Sequence, residues 1–207
     1  MAASPIFKTC RPLLLASGSP RRRRFFAELG LDFTVKTADV DERPLADESP
    51  DAFVRRLALA KAATVAAEES GQVVVGADTA VVRDGIILGK PRHREDGAAM
   101  LTSLSDRWHE VWTGFALCGR EPHLEEVAAV VTKVRFAPLP AEVIAAYLAT
   151  GDGDDKAGAY GIQSGAAFMV AEIRGSYSNV VGLPLTQVVA ALQAVGVLEV
   201  AGAAPGI

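Results

Sequence analysis

An acid stands where a buried strand should end. Val73-Val74-Val75 is a β-branched run of the kind covered on both faces of a sheet, and Gly76-Ala77-Asp78-Thr79 follows it. A carboxylate in that place suits metal binding or acid–base chemistry. The plain alternative is a turn in which Asp78 bonds its own backbone. A second group is basic: Arg21 to Arg24 come directly after Ala16-Ser17-Gly18-Ser19-Pro20. Arginine grips phosphate oxygens in pairs, and backbone N–H groups at a helix start, backed by the helix dipole, attract anions. The turn therefore reads as a polyphosphate cradle, or, since it lacks a strict phosphate-loop pattern, as an ordinary strand-to-helix turn with a solvated basic face. Other chemistry-bearing residues are scattered. Lys90 stands in Gly89-Lys90-Pro91, and Asp39, Asp41 and Glu42 form an acidic patch. Asp155, Lys156, Gln163, Ser176 and Asn179 are isolated in a glycine-dense segment. The donor–acceptor amide of Gln163 can read a base edge; the alternative is a bulged sheet with satisfied polar groups.

Regular elements must carry these groups. Leu13-Leu14-Leu15 reads as a buried strand, the following turn as small and tight, and Phe25, Phe26 and Leu29 as the inner face of a helix. Ser19 suits the N-cap and Pro20 the first helical position. Phe33 to Val35 opens a second strand. Ser49-Pro50 starts a long helix running to about Glu69, with Phe53, Leu57, Ala60 and Ala63 inward and Lys61 at the core edge. The Val73 strand is expected to stop at Gly76, and Asp84-Gly85 to turn a hairpin. Arg94 to Leu104 is helical, and His109 to Cys118 pairs with Val127 to Phe136. His109 has no second histidine or cysteine at metal spacing, so it reads as structural. Pro140 to Thr150 and Thr186 to Val195 are the last helices.

The 207 residues suit one domain or two lobes sharing a cleft, with residues 1–11 and 201–207 as flexible tails. A net charge of -4 argues against general nucleic-acid binding and leaves the arginine cluster as a local site for a small anion. Cys10 and Cys118 lack metal spacing, which points to a reduced, cytoplasmic protein. No apolar run is long enough to span a bilayer, and the apolar stretch near the N-terminus is too short for a signal peptide.

Three blocks together resemble the Maf family of nucleoside triphosphate pyrophosphatases. They are ASGSPRR at Ala16 to Arg22, GADTAV at Gly76 to Val81 with GKP at Gly89 to Pro91, and DKAGAYGIQ at Asp155 to Gln163 running on to GSYSNVVGLP. They occur in the family's order and span nearly the whole chain. The resemblance implies an elongated α/β fold, a mixed sheet with flanking helices in two lobes around a central cleft, akin to the inosine triphosphatase-like enzymes. It implies cleavage of a nucleoside triphosphate between the α and β phosphates, a divalent cation (Mg²⁺ or Mn²⁺), and a homodimer. The family's proton acceptor falls on Asp78. Three specificity positions fall on Arg21, Thr79 and Gln163. Arg, Thr and Gln there resemble the dTTP/UTP branch, whereas the branch acting on 7-methyl-GTP carries Trp, Gln and Glu. Two departures stand out: Asp106 replaces a small turn residue, and Gly151-Asp152-Gly153-Asp154 replaces an EP pair.

On this reading Ser17, Ser19, Arg21, Arg22, Lys90 and Lys156 meet the phosphate tail, with Lys61 close by. Asp78, Asp41 and Glu42 are the carboxylates for a cation that prefers oxygen ligands. Two other classes fit parts of the sequence. A non-catalytic nucleotide-binding regulator of cell division would use the same cleft but need not keep those three carboxylates. A nucleic-acid-binding module could use the arginines, but interleaved aromatics are missing.

Overall fold

A computed structural model describes residues 5–202. The chain runs through β1 (Phe7–Thr9), β2 (Leu13–Ala16), α1 (Pro20–Glu28), β3 (Thr34–Val35) and α2 (Pro50–Glu68). It continues through β4 (Val73–Arg83), β5 (Ile86–Leu88), α3 (Arg94–Leu104), β6 (Trp108–Gly119), β7 (Leu124–Phe136) and α4 (Ala141–Leu148). After two short 3₁₀ turns, Ala157–Ala159 and Gly165–Met169, come β8 (Val170–Arg174), α5 (Tyr177–Val181), α6 (Leu185–Ala194) and β9 (Leu198–Val200). Seven strands form one mixed sheet in the order β3-β2-β4-β6-β7-β8, with β5 on β4. The α/β class and the flanking helices are as expected. The N-terminal tail is not: Phe7 to Thr9 pair antiparallel with Val200 to Leu198 in a separate two-stranded sheet. Alternating side chains between the ends of a compact chain suffice for that pairing. Residues 1–4 and 203–207 of the expected tails lie outside the described residues. Cys10 and Cys118 both carry free thiols, the first exposed and the second buried.

β4 organises the molecule. It pairs parallel with β2 over residues 73–76 and antiparallel with β5 over residues 81–83, while β6 covers its other edge from Val74 to Val82. One edge of residues 77–80 is thus left without a strand partner among the described residues. The expected stop at Gly76 is corrected here: β4 runs straight through Gly76-Ala77-Asp78-Thr79, because β6 goes on pairing with it. The element that ends is β2, at Ala16 opposite Gly76.

The two faces of β4 differ by the period of two that a strand imposes. Val73, Val75 and Ala77 join an apolar cluster with Phe25, Phe26, Leu183 and Leu192 of α1, α6 and the turn between α5 and α6. Val81, on the same face, joins another with Leu101, Leu104, Ile144 and Leu148 of α3 and α4. Thr79 falls between the two clusters. The opposite face lies under α2, with Val74 packed near Ala58, Ala62 and Val65, and Ala80 and Val82 near Phe53, Val54 and Leu57. Ser49 Oγ caps α2 by accepting from the Ala52 N–H at 3.2 Å. The inward face of α2 is rotated from the expected one: Ala58 and Ala62 are buried and Ala63 is exposed. Alanines alone do not show which of them touch the sheet.

His109 is structural, as read. It is 2% exposed, its Nε2 lies 2.8 Å from the Tyr160 hydroxyl, and Phe136 meets it edge-on at 4.9 Å. Burial, helped by Arg83, pushes its pKa down to about 4 from 6.5. The unfolded chain takes up this proton below 6.5 and the folded chain only near 4, so the contribution is full at neutral pH and is lost as pH falls through that window. Stability should fall by about 2 kcal/mol between pH 7 and pH 5 from this group alone. Urea midpoints at the two pH values measure it, and a His109→Gln variant should show a shallower fall. An equal fall in both proteins would remove His109 as the cause.

Candidate active site

A cavity of about 700 Å³ opens along the unpaired edge of β4. Its walls come from the turn after β2, the loop between β3 and α2, α2 itself, the segment after β5, and the loop after α4. Ser17, Ser19, Arg21, Arg22, Glu42, Lys61, Asp78, Thr79, Lys90, Lys156 and Gln163 all line it. Residues distant in sequence are brought together because β2 stops early and exposes the β4 edge.

Asp41 is the exception. It does not line the cavity, and its carboxylate is clasped by Arg43, with Nη2 2.6 Å from Oδ2. Hydrogen bonds from the Arg43 side chain and backbone pull its pKa down to about 2. The sequence could not separate Asp41 from Glu42, since neighbours in an irregular loop point in unrelated directions.

Asp78 lies on the α2 face of β4. Lys61, on α2, donates to Asp78 Oδ1 at 2.6 Å and to Glu42 Oε1 at 2.5 Å. The Lys61 and Asp78 side chains are 12% and 13% exposed, so this pair is shielded from bulk water. Lys90 approaches the other Glu42 oxygen at 3.4 Å. Burial alone would raise the Glu42 carboxyl, but the Lys61 hydrogen bond and charge, with Lys90, outweigh it and hold the group below its ordinary value. Two carboxylates and two ammonium groups thus alternate along one wall.

The turn after β2 supplies another part of the lining. Ser19 holds the N-cap position of α1 and Pro20 the first helical position. Contrary to expectation, the Ser19 side chain makes no capping bond. The Arg23 N–H donates to the Ser19 carbonyl at 3.2 Å, and the Arg21 and Arg22 N–H groups have no acceptor among the described residues. A helix start with open N–H groups is suited to an anion.

The arginines divide. Arg21 lines the cavity and lies near enough to Asp155 to help lower its carboxyl, after the larger effect of the Lys156 hydrogen bond. Arg22 turns inward. Its Nε donates to the Gly182 carbonyl at 2.8 Å, Nη1 to Ser17 Oγ at 3.1 Å and Nη2 to Thr79 Oγ1 at 3.1 Å. Burial lowers its pKa, against the nearby charge of Asp78. A run of four arginines carries no signal telling which one folds under. Lys156 lines the cavity, but its ammonium donates to the Asp152 carbonyl and to Asp155 Oδ1 at 2.7 Å. Asp152 Oδ2 also accepts from Tyr147 at 2.9 Å and from Ser164 at 2.5 Å, so the atypical acidic stretch braces the loop that carries Gln163. Gln163 itself is exposed at the cavity wall.

Metal binding rests on few donors. No group of three or more His, Cys, Asp or Glu residues that could hold an ion is found among the described residues. The Lys61 ammonium sits between Asp78 Oδ1 and Glu42 Oε1, which leaves Asp78 Oδ2 and Glu42 Oε2 as the carboxylate oxygens on offer to a cation. That set fits a hard cation that binds one or two carboxylates and completes its shell with phosphate oxygens and water. No helix among the described residues is long and apolar enough to cross a membrane.

A family model described as "Maf-like protein" matches residues 12–195. A protein of Geotalea uraniireducens (strain Rf4) named dTTP/UTP pyrophosphatase is 51% identical over 187 residues, covering 90% of this chain and 96% of its own. One of Geobacter sulfurreducens with the same name is 51% identical over 186 residues, covering 90% and 97%. A third, from Desulfotalea psychrophila, is 45% identical over 195 residues, covering 94% and 100%, and bears the same name.

Proposed function

The chain belongs to the Maf family, and from that premise we propose that it is a nucleoside triphosphate pyrophosphatase acting on dTTP and UTP, releasing the monophosphate and pyrophosphate. One observation carries the reading: the Asp78–Lys61–Glu42 wall and the turn at Ser17 to Arg22 line one cavity. A triphosphate needs cations and N–H donors along its tail and an acceptor for the proton of the attacking water. This cavity offers both. The working unit is a homodimer in the cytoplasm, each chain a single unit of two lobes around the cleft.

The roles follow from position. The open N–H groups of α1 take up phosphate oxygens on one side. Lys61 and Lys90 offset charge on the other. Asp78, with one oxygen held by Lys61, keeps the second oxygen to orient a water and accept its proton as that water attacks the α-phosphorus. Burial of the Lys61–Asp78 pair strengthens these interactions relative to water. A divalent cation, Mg²⁺ or Mn²⁺, held by Asp78 and Glu42 with the phosphates would supply charge neutralisation and Lewis acidity. Gln163, Thr79 and Arg21 take the base and sugar end, where the choice of nucleotide is made.

The test is a panel of normal and modified nucleoside triphosphates with either metal, read by pyrophosphate release. Pyrophosphate and monophosphate from dTTP and UTP are expected. Nucleotide bound but intact after hours would favour a regulator that does not turn over, and orthophosphate as product would place attack at the wrong phosphorus.

A further inference from the structure

Thr79 is a hydroxyl whose proton is already committed inside the protein. Its Oγ1 accepts from Arg22 Nη2 at 3.1 Å and lies 3.0 Å from Thr113 Oγ1. Thr113 is 0% exposed on β6, directly opposite Thr79, and its hydroxyl is 3.1 Å from the Asn179 carbonyl. A hydroxyl–hydroxyl contact of that length carries one proton, since two lone-pair faces would repel. In one direction the chain reads Arg22 to Thr79 to Thr113 to Asn179, with every bond at 3.1 Å or less. In the reverse direction the Thr79 proton is left with the Gly182 carbonyl at 3.4 Å, which Arg22 Nε already occupies at 2.8 Å. The first direction satisfies more groups, and donors in series reinforce one another.

We infer that Thr113 is a positioning residue that fixes the polarity of Thr79, making it an acceptor only toward the cleft and so selecting a pyrimidine that presents a ring N–H. Uracil and thymine carry that donor at the ring nitrogen between their carbonyls; cytosine carries an acceptor there. Ser17 shows the complementary case. Its Oγ accepts from Arg22 Nη1 at 3.1 Å and from the Ser19 N–H at 3.3 Å, and it donates to no acceptor among the described residues. Its proton is therefore the part left for the cleft, which suits a phosphate oxygen. Arg22 thus sorts two cleft hydroxyls into a donor and an acceptor. An acceptor-only hydroxyl repels phosphate, which assigns Thr79 to the base end. The inference rests on the pyrimidine-nucleotide reading above and deepens it.

The test uses UMP and CMP, which cannot be cleaved to pyrophosphate, and calorimetric dissociation constants for the intact protein. The parent should bind UMP at least about tenfold tighter than CMP, as a site left with an unpaired polar group rejects the wrong partner. Thr113→Val frees the Thr79 proton to rotate and should bring the ratio near one. Thr113→Ser keeps the hydroxyl and should restore the parental ratio, an outcome that loss of packing alone would not give. A Val variant that keeps the parental ratio overturns the inference, as does a parent without preference; the second decides the matter even where the Val variant does not fold. An error in the enzymatic reading is separate, because it appears as absent pyrophosphate release while the UMP preference persists.

Discussion

Asp78→Asn should lower kcat for UTP by about 10²–10⁴-fold, the range for a positioned acid–base group, with little change in thermal stability. The split follows from the surroundings of Asp78. Its Oδ1 accepts from Lys61 at 2.6 Å, and an asparagine oxygen can accept the same bond. Lys61 also keeps Glu42 at 2.5 Å, so its ammonium is not left buried without a counter-charge. What the substitution removes is the negative charge and the ability to take a proton. Stopped assays of pyrophosphate release, beside melting curves of both proteins, check the two halves. An asparagine variant as fast as the parent would take Asp78 out of the chemistry. A variant that melts far lower would make the rate loss uninformative, and Glu42→Gln on the more exposed side of Lys61 would then probe the same wall.

Nine of the eleven cavity-lining candidates fall within the motif blocks, with Glu42 and Lys61 outside them, and the elements around them are legible because short strands and capped helices announce themselves by period and by Ser, Pro and Gly. The buried run at Val73, the cap at Ser49-Pro50 and the hairpin at Asp84-Gly85 are local signals, and local physics honours them. What could not be read was tertiary. Val73 to Arg83 carries a glycine and an aspartate in its middle, both disfavoured in strands, and those two residues argue for a break. The strand persists because β6 pairs with it from Val74 to Val82, a partner distant in sequence having more say than propensity. The inward turn of Arg22 is likewise decided by the Gly182 carbonyl, at the far end of the chain. Asp41 was lost to a neighbouring arginine that only the loop conformation brings round. Thr113 gave no signal, since a threonine on an alternating strand looks the same whether it faces solvent or a hydrogen-bond chain.

The distance from Lys61 to Asp78 is itself set by two glycines, and filling either should damage fold and rate together. Gly114 on β6 stands directly opposite Asp78, and a Cβ there would lie 2.2 Å from the Val54 carbonyl oxygen of α2. A Cβ on Gly76 would lie 2.3 Å from the Ala58 carbonyl oxygen and 2.7 Å from the Ala62 nitrogen. Neither glycine has a positive φ, so the need is for space and not for an unusual backbone. Residues 54, 58 and 62 form one line along α2, and that line rests on bare sheet backbone; Lys61, beside Ala62, is lowered onto Asp78 as a result. Gly114→Ala forces backbone against backbone, where no side chain can rotate aside. Overpacking of this kind costs about 1–3 kcal/mol, read as a lower melting temperature. Relief requires α2 to lift by on the order of 1 Å, a displacement that can cost about 10²-fold in rate when it carries a catalytic group. The expected result is therefore a folded but weakened protein whose kcat/KM falls far more than its stability loss would explain at the assay temperature. An alanine variant with the parent's melting point and turnover would mean that α2 does not hold Lys61 in place by this contact, and the close approach of helix to sheet would lose its role in the chemistry.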